Sequence, residues 1–167
     1  MREHEILMLL ALAEAEVALA QGEFPVGCVL VHQGAVIASG KRVHSSGKVN
    51  EMDHAEMLAL RSFLDAEPGV APQEVTVYAT MEPCLMCFST LILNGIRKIV
   101  YAYEDVMGGG TNLPLTMLNP LYAAMEIKVV PAVLRRESLA LFQQFFSNPD
   151  NLYWKGSLLA SYTLEQK

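Results

Sequence analysis

The sequence predicts an α/β layered domain: three layers, α/β/α, with helices on both faces of a mixed five-stranded sheet. Three observations carry that expectation. Short apolar runs rich in Val and Ile alternate with longer segments of helix-forming residues over most of the chain. The first two runs are separated only by a tight turn, which makes at least one strand pair antiparallel. The later strand–helix–strand units require parallel pairing with right-handed crossovers.

Each element has a local reason. Residues 2–21 form a helix candidate, Ala-, Leu- and Glu-rich, with no Pro or Gly until Gly22 closes it. It is apolar around much of its circumference, so one side is expected on the sheet and the other against a further element. Pro25 opens Val26-Gly27-Cys28-Val29-Leu30-Val31, a near-continuous apolar run that reads as a buried strand. Gln33-Gly34 turns the chain into Val36-Ile37-Ala38, completing a hairpin. Residues 44–53, with Ser45-Ser46-Gly47 and mixed charge, read as a loop. Helix formers run from Asp53 to Ala66 and are ended by Pro68-Gly69. Val75–Ala79 is a strand, Cys84–Leu93 a helix stopped by Asn94-Gly95, and Ile96–Tyr103 another strand. Gly108-Gly109-Gly110 reads as a flexible loop, followed by a short helix between Pro114 and Met125 and a fifth strand at Ile127–Val130. A helix over Arg135–Phe146 precedes Ser147-Asn148-Pro149-Asp150 and a helical C-terminal segment.

Composition narrows the function classes. A chain of 167 residues with 52% hydrophobic and 18% charged residues is not disordered and suits one domain, residues 1–167, with C-terminal helices over 135–165. Twelve Lys and Arg against 18 Asp and Glu give a net charge of −6, which weighs against a surface built to grip phosphate backbones. No apolar stretch approaches the ~20 residues of a membrane helix, and the N-terminal run has no cleavage-site pattern, so the expectation is a cytoplasmic protein without a membrane partner. Three cysteines are too few, and odd in number, for a disulfide framework.

Two short segments carry chemistry: His54-Ala55-Glu56 and Pro83-Cys84-Leu85-Met86-Cys87, each at the start of a predicted helix. Residues three apart share a helix face, so Cys84 and Cys87 can converge on one point, with His54 as a third ligand. One imidazole and two thiolates suit Zn²⁺ and leave a fourth position for water, the pattern of a catalytic site. Glu56, two residues past His54, is placed to carry protons beside that water. Spacing alone also admits a redox Cys84–Cys87 pair, and a zinc-stabilised binding module without turnover is a third reading. Cys28, inside an apolar strand, reads as a small buried hydrophobe. His4 and His32 read as surface residues, and His44 as a candidate substrate contact in the loop before His54.

H-x-E followed by P-C-x-x-C is the signature of the zinc deaminases. The chain resembles the cytidine deaminase superfamily, in the branch of bacterial tRNA adenosine deaminases, guanine deaminases and deoxycytidylate deaminases. Glu23–Val31 is similar to the first-strand segment of the tRNA enzymes. His54–Arg61 and Thr80–Cys87 look like the two metal segments, and Ile96–Tyr101 like the strand that follows. The resemblance covers about residues 5–130. It implies the cytidine deaminase-like fold, one Zn²⁺ per chain, hydrolytic deamination with release of ammonia, and a homodimer. Glu56 then takes a proton from the zinc-activated water, delivers it to the ring nitrogen and passes one to the departing amine. It further implies a pocket lined by Pro25, Val26 and Gly27, with Ala55 and Pro83 holding the ring and Asp105 in a substrate loop.

The departures bear on substrate. Relatives carry an Asn shortly after the second strand, where Lys41-Arg42-Val43-His44 stands here, so Arg42, His44 or Asn50 takes a different contact. The tRNA enzymes follow a Phe pair with basic residues, whereas Phe145-Phe146 is followed here by Ser147-Asn148-Pro149-Asp150. The expectation is therefore a free base, nucleoside or nucleotide as substrate, with wobble adenosine of tRNA as the alternative.

Overall fold

The computed structural model describes residues 2–66 and 69–167. In chain order it runs α1 (Glu3–Ala20), β1 (Gly27–His32), β2 (Ala35–Lys41), α2 (Ala55–Ala66), β3 (Thr76–Met81) and α3 (Leu85–Leu93). It continues with β4 (Lys98–Tyr103), α4 (Pro120–Ala123), β5 (Lys128–Val130), α5 (Arg135–Ser147) and α6 (Leu158–Glu165). Every expected element is present. The stop signal expected at Pro68-Gly69 lies partly outside the described residues, since Pro68 is not among them; Gly69 has φ +70°.

The strands form one sheet in the order β2-β1-β3-β4-β5. β1 is antiparallel to both β2 and β3, and β3–β4 and β4–β5 are parallel, so the sheet is mixed. Side chains alternate between its two faces. Cys28, Leu30, Val77 and Ile99 point into a core built with α2 and α3. Val29, Val31, Tyr78 and Val100 point into a second core under α1. Cys28 is fully buried, as its apolar neighbours suggest.

Two glycines set how closely the helices approach. A Cβ on Gly27 would strike the backbone of α1 at Ala11 and Ala15, and one on Gly40 would strike the backbone of α2 at Ala55 and Ala59. Each helix thus lies directly on a strand, with Ala on its contact face. The outward face of α1, expected to meet a further element, carries Ile6, Leu9, Leu10 and Val17 at 43–51% exposure. The glycine loop is not free either: Gly110 is buried against Leu85, and its N–H donates to the Pro83 carbonyl at 2.9 Å. Phe145 and Phe146 pack around Phe24, with ring centroids 5.1 and 5.9 Å from it.

Past the end of β4, Glu104 ties the C-terminal helices to the sheet. Its carboxylate accepts from Arg135 Nε at 2.8 Å and from Arg135 Nη2, and from the Tyr162 hydroxyl at 2.7 Å. Burial pushes this carboxyl up, but the Arg135 and Tyr162 hydrogen bonds outweigh it and hold the pKa below its ordinary 4.5.

Two measurements test this architecture. Gly40→Ala forces α2 off β2 and is expected to lower unfolding free energy by about 1–3 kcal/mol; unchanged denaturant midpoints would contradict the contact. Because the folded pKa of Glu104 is depressed, its contribution is full above pH 4.5 and fades as pH falls through the folded value. Glu104→Gln is therefore expected to cost about 1 kcal/mol at pH 7 and progressively less in acid. A native–variant gap that stays constant down to pH 3 would refute the linkage.

Candidate active site

His54 and Cys84 sit immediately before α2 and α3, not inside them. Their carbonyls accept from Leu58 N–H at 3.0 Å and Phe88 N–H at 2.8 Å, so each caps its helix N-terminus. The positive end of α3 favours thiolate at Cys84, and Cys87 follows one turn later, fully buried. From the two helices, His54 Nδ1 comes within 3.6 Å of Cys84 Sγ and 3.5 Å of Cys87 Sγ. All three donor atoms lie within 4.8 Å of one another. Tetrahedral zinc, with Zn–S of about 2.3 Å and Zn–N of about 2.0 Å, separates nitrogen from sulfur by about 3.5 Å. The donor set therefore fits that ion in both chemistry and spacing.

Protonation in the cluster follows from its crowding. The Cys87 thiol donates to Cys84, which lowers the Cys84 pKa despite burial and, together with burial, raises that of Cys87. Burial opposes charge on His54, yet hydrogen bonds to Cys84 and Glu51 and the nearby Glu56 raise its pKa to about 9. Glu56 is 3% exposed, with Oε2 3.7 Å from Cys87 Sγ. Burial raises its pKa, and the His54 charge offsets only part of the rise.

A pocket of about 340 Å³ opens over this cluster. Of the residues expected at the substrate, Val26, Arg42, Ala55 and Asp105 line it, as do His54, Glu56 and Cys84. Pro25, Gly27 and Pro83 are buried behind the wall: Gly27 N–H donates to Thr80 Oγ1 at 3.0 Å, and the Pro83 carbonyl is taken by Gly110. His44 stands outside, exposed, with Nδ1 2.6 Å from an Asp53 carboxylate oxygen. Asn50 also turns away, its amide donating to Asp53 at 2.9 Å. His4 is exposed with Nδ1 2.8 Å from the Tyr78 hydroxyl, while His32 is half-buried beside Glu74.

Arg42 is 2% exposed. Its Nη1 donates to the carbonyls of Val43, Asn50 and Asp53, and its Nη2 to Glu51 at 3.3 Å. The guanidinium lies over the Tyr153 ring, 5.4 Å from the centroid. Glu51, Tyr153 and Trp154 also line the pocket, and sequence reasoning did not single them out. The one signal was the acidic run Asn50-Glu51-Met52-Asp53 just before His54.

The family model for the cytidine and deoxycytidylate deaminase zinc-binding region matches residues 1–103. The chain belongs to that family. This deaminase is similar to the tRNA-specific adenosine deaminase of Bacillus subtilis, with 31% identity over 87% of this chain and 90% of that one. A structure from work on A-to-I editing by tRNA deaminases at the wobble position superposes with a TM-score of 0.68 and 28% identity, over 80% of this chain and 96% of that one. Guanine deaminase from Bacillus subtilis superposes with a TM-score of 0.54 and 28% identity, over 62% of this chain and 66% of that one. Like these relatives, the deaminase is a hydrolase of C–N bonds, and it carries a zinc-binding domain. Among the described residues no helix is long and apolar enough to cross a membrane.

Arg42→Met strands three loop carbonyls that the guanidinium now satisfies. It is expected to cost about 2–4 kcal/mol in chemical unfolding. A variant as stable as the native chain would show that the loop does not depend on Arg42.

Proposed function

We propose that the chain deaminates a small heterocycle, a free nucleobase or its nucleoside or nucleotide, at an exocyclic amine. The observation that carries this reading is the aromatic wall that Tyr153 and Trp154 give the pocket, together with the charge around it. The lining carboxylates are Glu51, Glu56, Glu82 and Asp105, and the lining guanidinium, Arg42, directs Nη1 at loop carbonyls and Nη2 at Glu51, leaving its buried Nε without a hydrogen-bond partner among the described residues. A polyanion approaching this rim meets like charge, whereas an uncharged ring bearing amine donors meets acceptors. The net charge of −6 points the same way.

In this reading His54, Cys84 and Cys87 hold one zinc ion, which when bound supplies a nucleophile of hydroxide strength at neutral pH. Glu56, buried at the floor, takes a proton from the attacking water and gives it to the ring nitrogen beside the amine-bearing carbon. It then delivers the second proton of that water to the amine, which leaves as ammonia, so water and substrate amine are consumed one for one. Val26 and Ala55 press on the ring. Asp105 is fixed by the N–H groups of Met107 and Gly108 at 3.0 and 2.9 Å and shapes the rim. The reading includes one domain, a homodimer and a reducing, cytoplasmic setting. Exposed Met117 and Leu121, in the Leu113–Met125 segment, support the dimer, and the unpaired cysteines the setting.

A second reading, wobble adenosine of tRNA, is favoured by the 31% identity to the tRNA-specific adenosine deaminase. An ammonia-release screen over purine, pyrimidine and pterin-like bases, their nucleosides and nucleotides, and an anticodon stem-loop separates the two. Turnover confined to the stem-loop would overturn the small-molecule reading. Glu56→Ala is expected to keep one zinc per chain and lose at least ~10²-fold in turnover. Full activity in that variant on the true substrate would remove Glu56 from the mechanism.

A further inference from the structure

The Glu51 carboxylate joins three parts of the chain that are remote from one another in function. Its Oε2 lies 3.0 Å from His54 Nε2, accepts the Tyr153 hydroxyl at 2.9 Å and accepts Arg42 Nη2 at 3.3 Å. Oε1 shares the Tyr153 hydroxyl at 3.1 Å. His54 meanwhile presents its other nitrogen, Nδ1, to the two cysteine sulfurs.

We propose that Glu51 is a positioning residue of the metal centre, holding His54 in the tautomer and ring orientation that offers Nδ1 to the ion, and that Tyr153 and Arg42 hold Glu51 in turn. The inference rests on the reading that His54, Cys84 and Cys87 bind zinc. An imidazole ligates through a nitrogen bearing a lone pair, so its single proton must sit on the other nitrogen. A carboxylate accepting from Nε2 fixes that proton, stops the ring from turning about its Cβ–Cγ bond and makes Nδ1 a better donor. His54 needs this support because it precedes α2 and is still 22% exposed.

Among the described residues, neither neighbouring carboxylate is placed to substitute. Asp53, adjacent in sequence, has its carboxylate engaged by His44 and Asn50. Glu56 lies on the sulfur side of the ring, beside Cys87. Glu51 itself stands on an exposed loop, and Tyr153 fixes it from the far end of the chain. Tyr153 is clamped by the Phe24 ring at 5.2 Å and by the Arg42 guanidinium above it. The C-terminal turn over residues 148–157 is thereby part of the metal site's support as well as the pocket's wall.

The test measures zinc affinity by chelator competition on the full chain, together with the histidine Nε2–H resonance of the zinc-loaded protein. Glu51→Ala is expected to weaken zinc binding by about ten- to a hundredfold and abolish the slowly exchanging His54 Nε2–H signal. Glu51→Gln, whose amide oxygen still accepts, is expected to recover most of the affinity while shifting that signal, because a neutral acceptor is weaker. Tyr153→Phe is expected to give an intermediate loss. Native zinc affinity in Glu51→Ala, or an unmoved resonance in Glu51→Gln, overturns the proposal; the latter holds even where the Ala variant does not fold. Failure of the native chain to bind zinc would instead overturn the ligand reading on which it rests.

Discussion

The site depends on one packing constraint: α2 must lie with its backbone directly against β2. Gly40 permits this, because any side chain there would meet the Ala55 carbonyl and the Ala59 amide. The contact fixes the height of the first turn of α2 above the sheet. His54, just before that turn, and Glu56, within it, flank Ala55, so both are set by a strand-to-helix distance with no side chain between. α3 is set independently, by the buried Gly110 beneath Leu85 and the bridge between Cys84 and Gly109. Two rigid helix starts therefore meet over one end of the sheet, and the 3.5–3.6 Å spacing of nitrogen and sulfurs is their joint result. Backbone contacts vary less with rotamer than side-chain contacts, which suits a centre needing sub-ångström placement.

What was legible in the sequence was what is local. His54-x-Glu56 and Cys84-x-x-Cys87 each fit within a single helical turn, so their residue types and spacing report the chemistry without tertiary information. The strands were legible for a similar reason, since burial on both faces leaves continuous apolar runs such as Val26–Val31. Glu51 and Tyr153 were not, because they are 102 residues apart and neither has a motif of its own. Arg42 reads as a loop cation in sequence and as a buried structural group in space. His44 was misleading in the opposite sense: its position suggested the pocket, but its exposed backbone has φ +54° and carries the ring outward to Asp53. Phe145-Phe146 has no motif of its own either, and its packing around Phe24, remote in sequence, appears only in the fold.

The burial of Arg42 has consequences that connect these residues. A guanidinium cannot be buried without acceptors and a counter-charge. Here the acceptors are carbonyls of the 43–53 loop, which must fold over the guanidinium to reach it, and the counter-charge is Glu51. Glu51, held by Arg42, also has its Oε2 3.0 Å from His54 Nε2, so one carboxylate serves both the buried guanidinium and the imidazole. That carboxylate accepts the Tyr153 hydroxyl while the flat face of the guanidinium lies over the Tyr153 ring, so one tyrosine satisfies both. The pocket wall is thus a consequence of satisfying a buried charge. Arg42, Glu51, Tyr153 and His54 accordingly form one connected network along the pocket wall, from the second strand to the C-terminal turn.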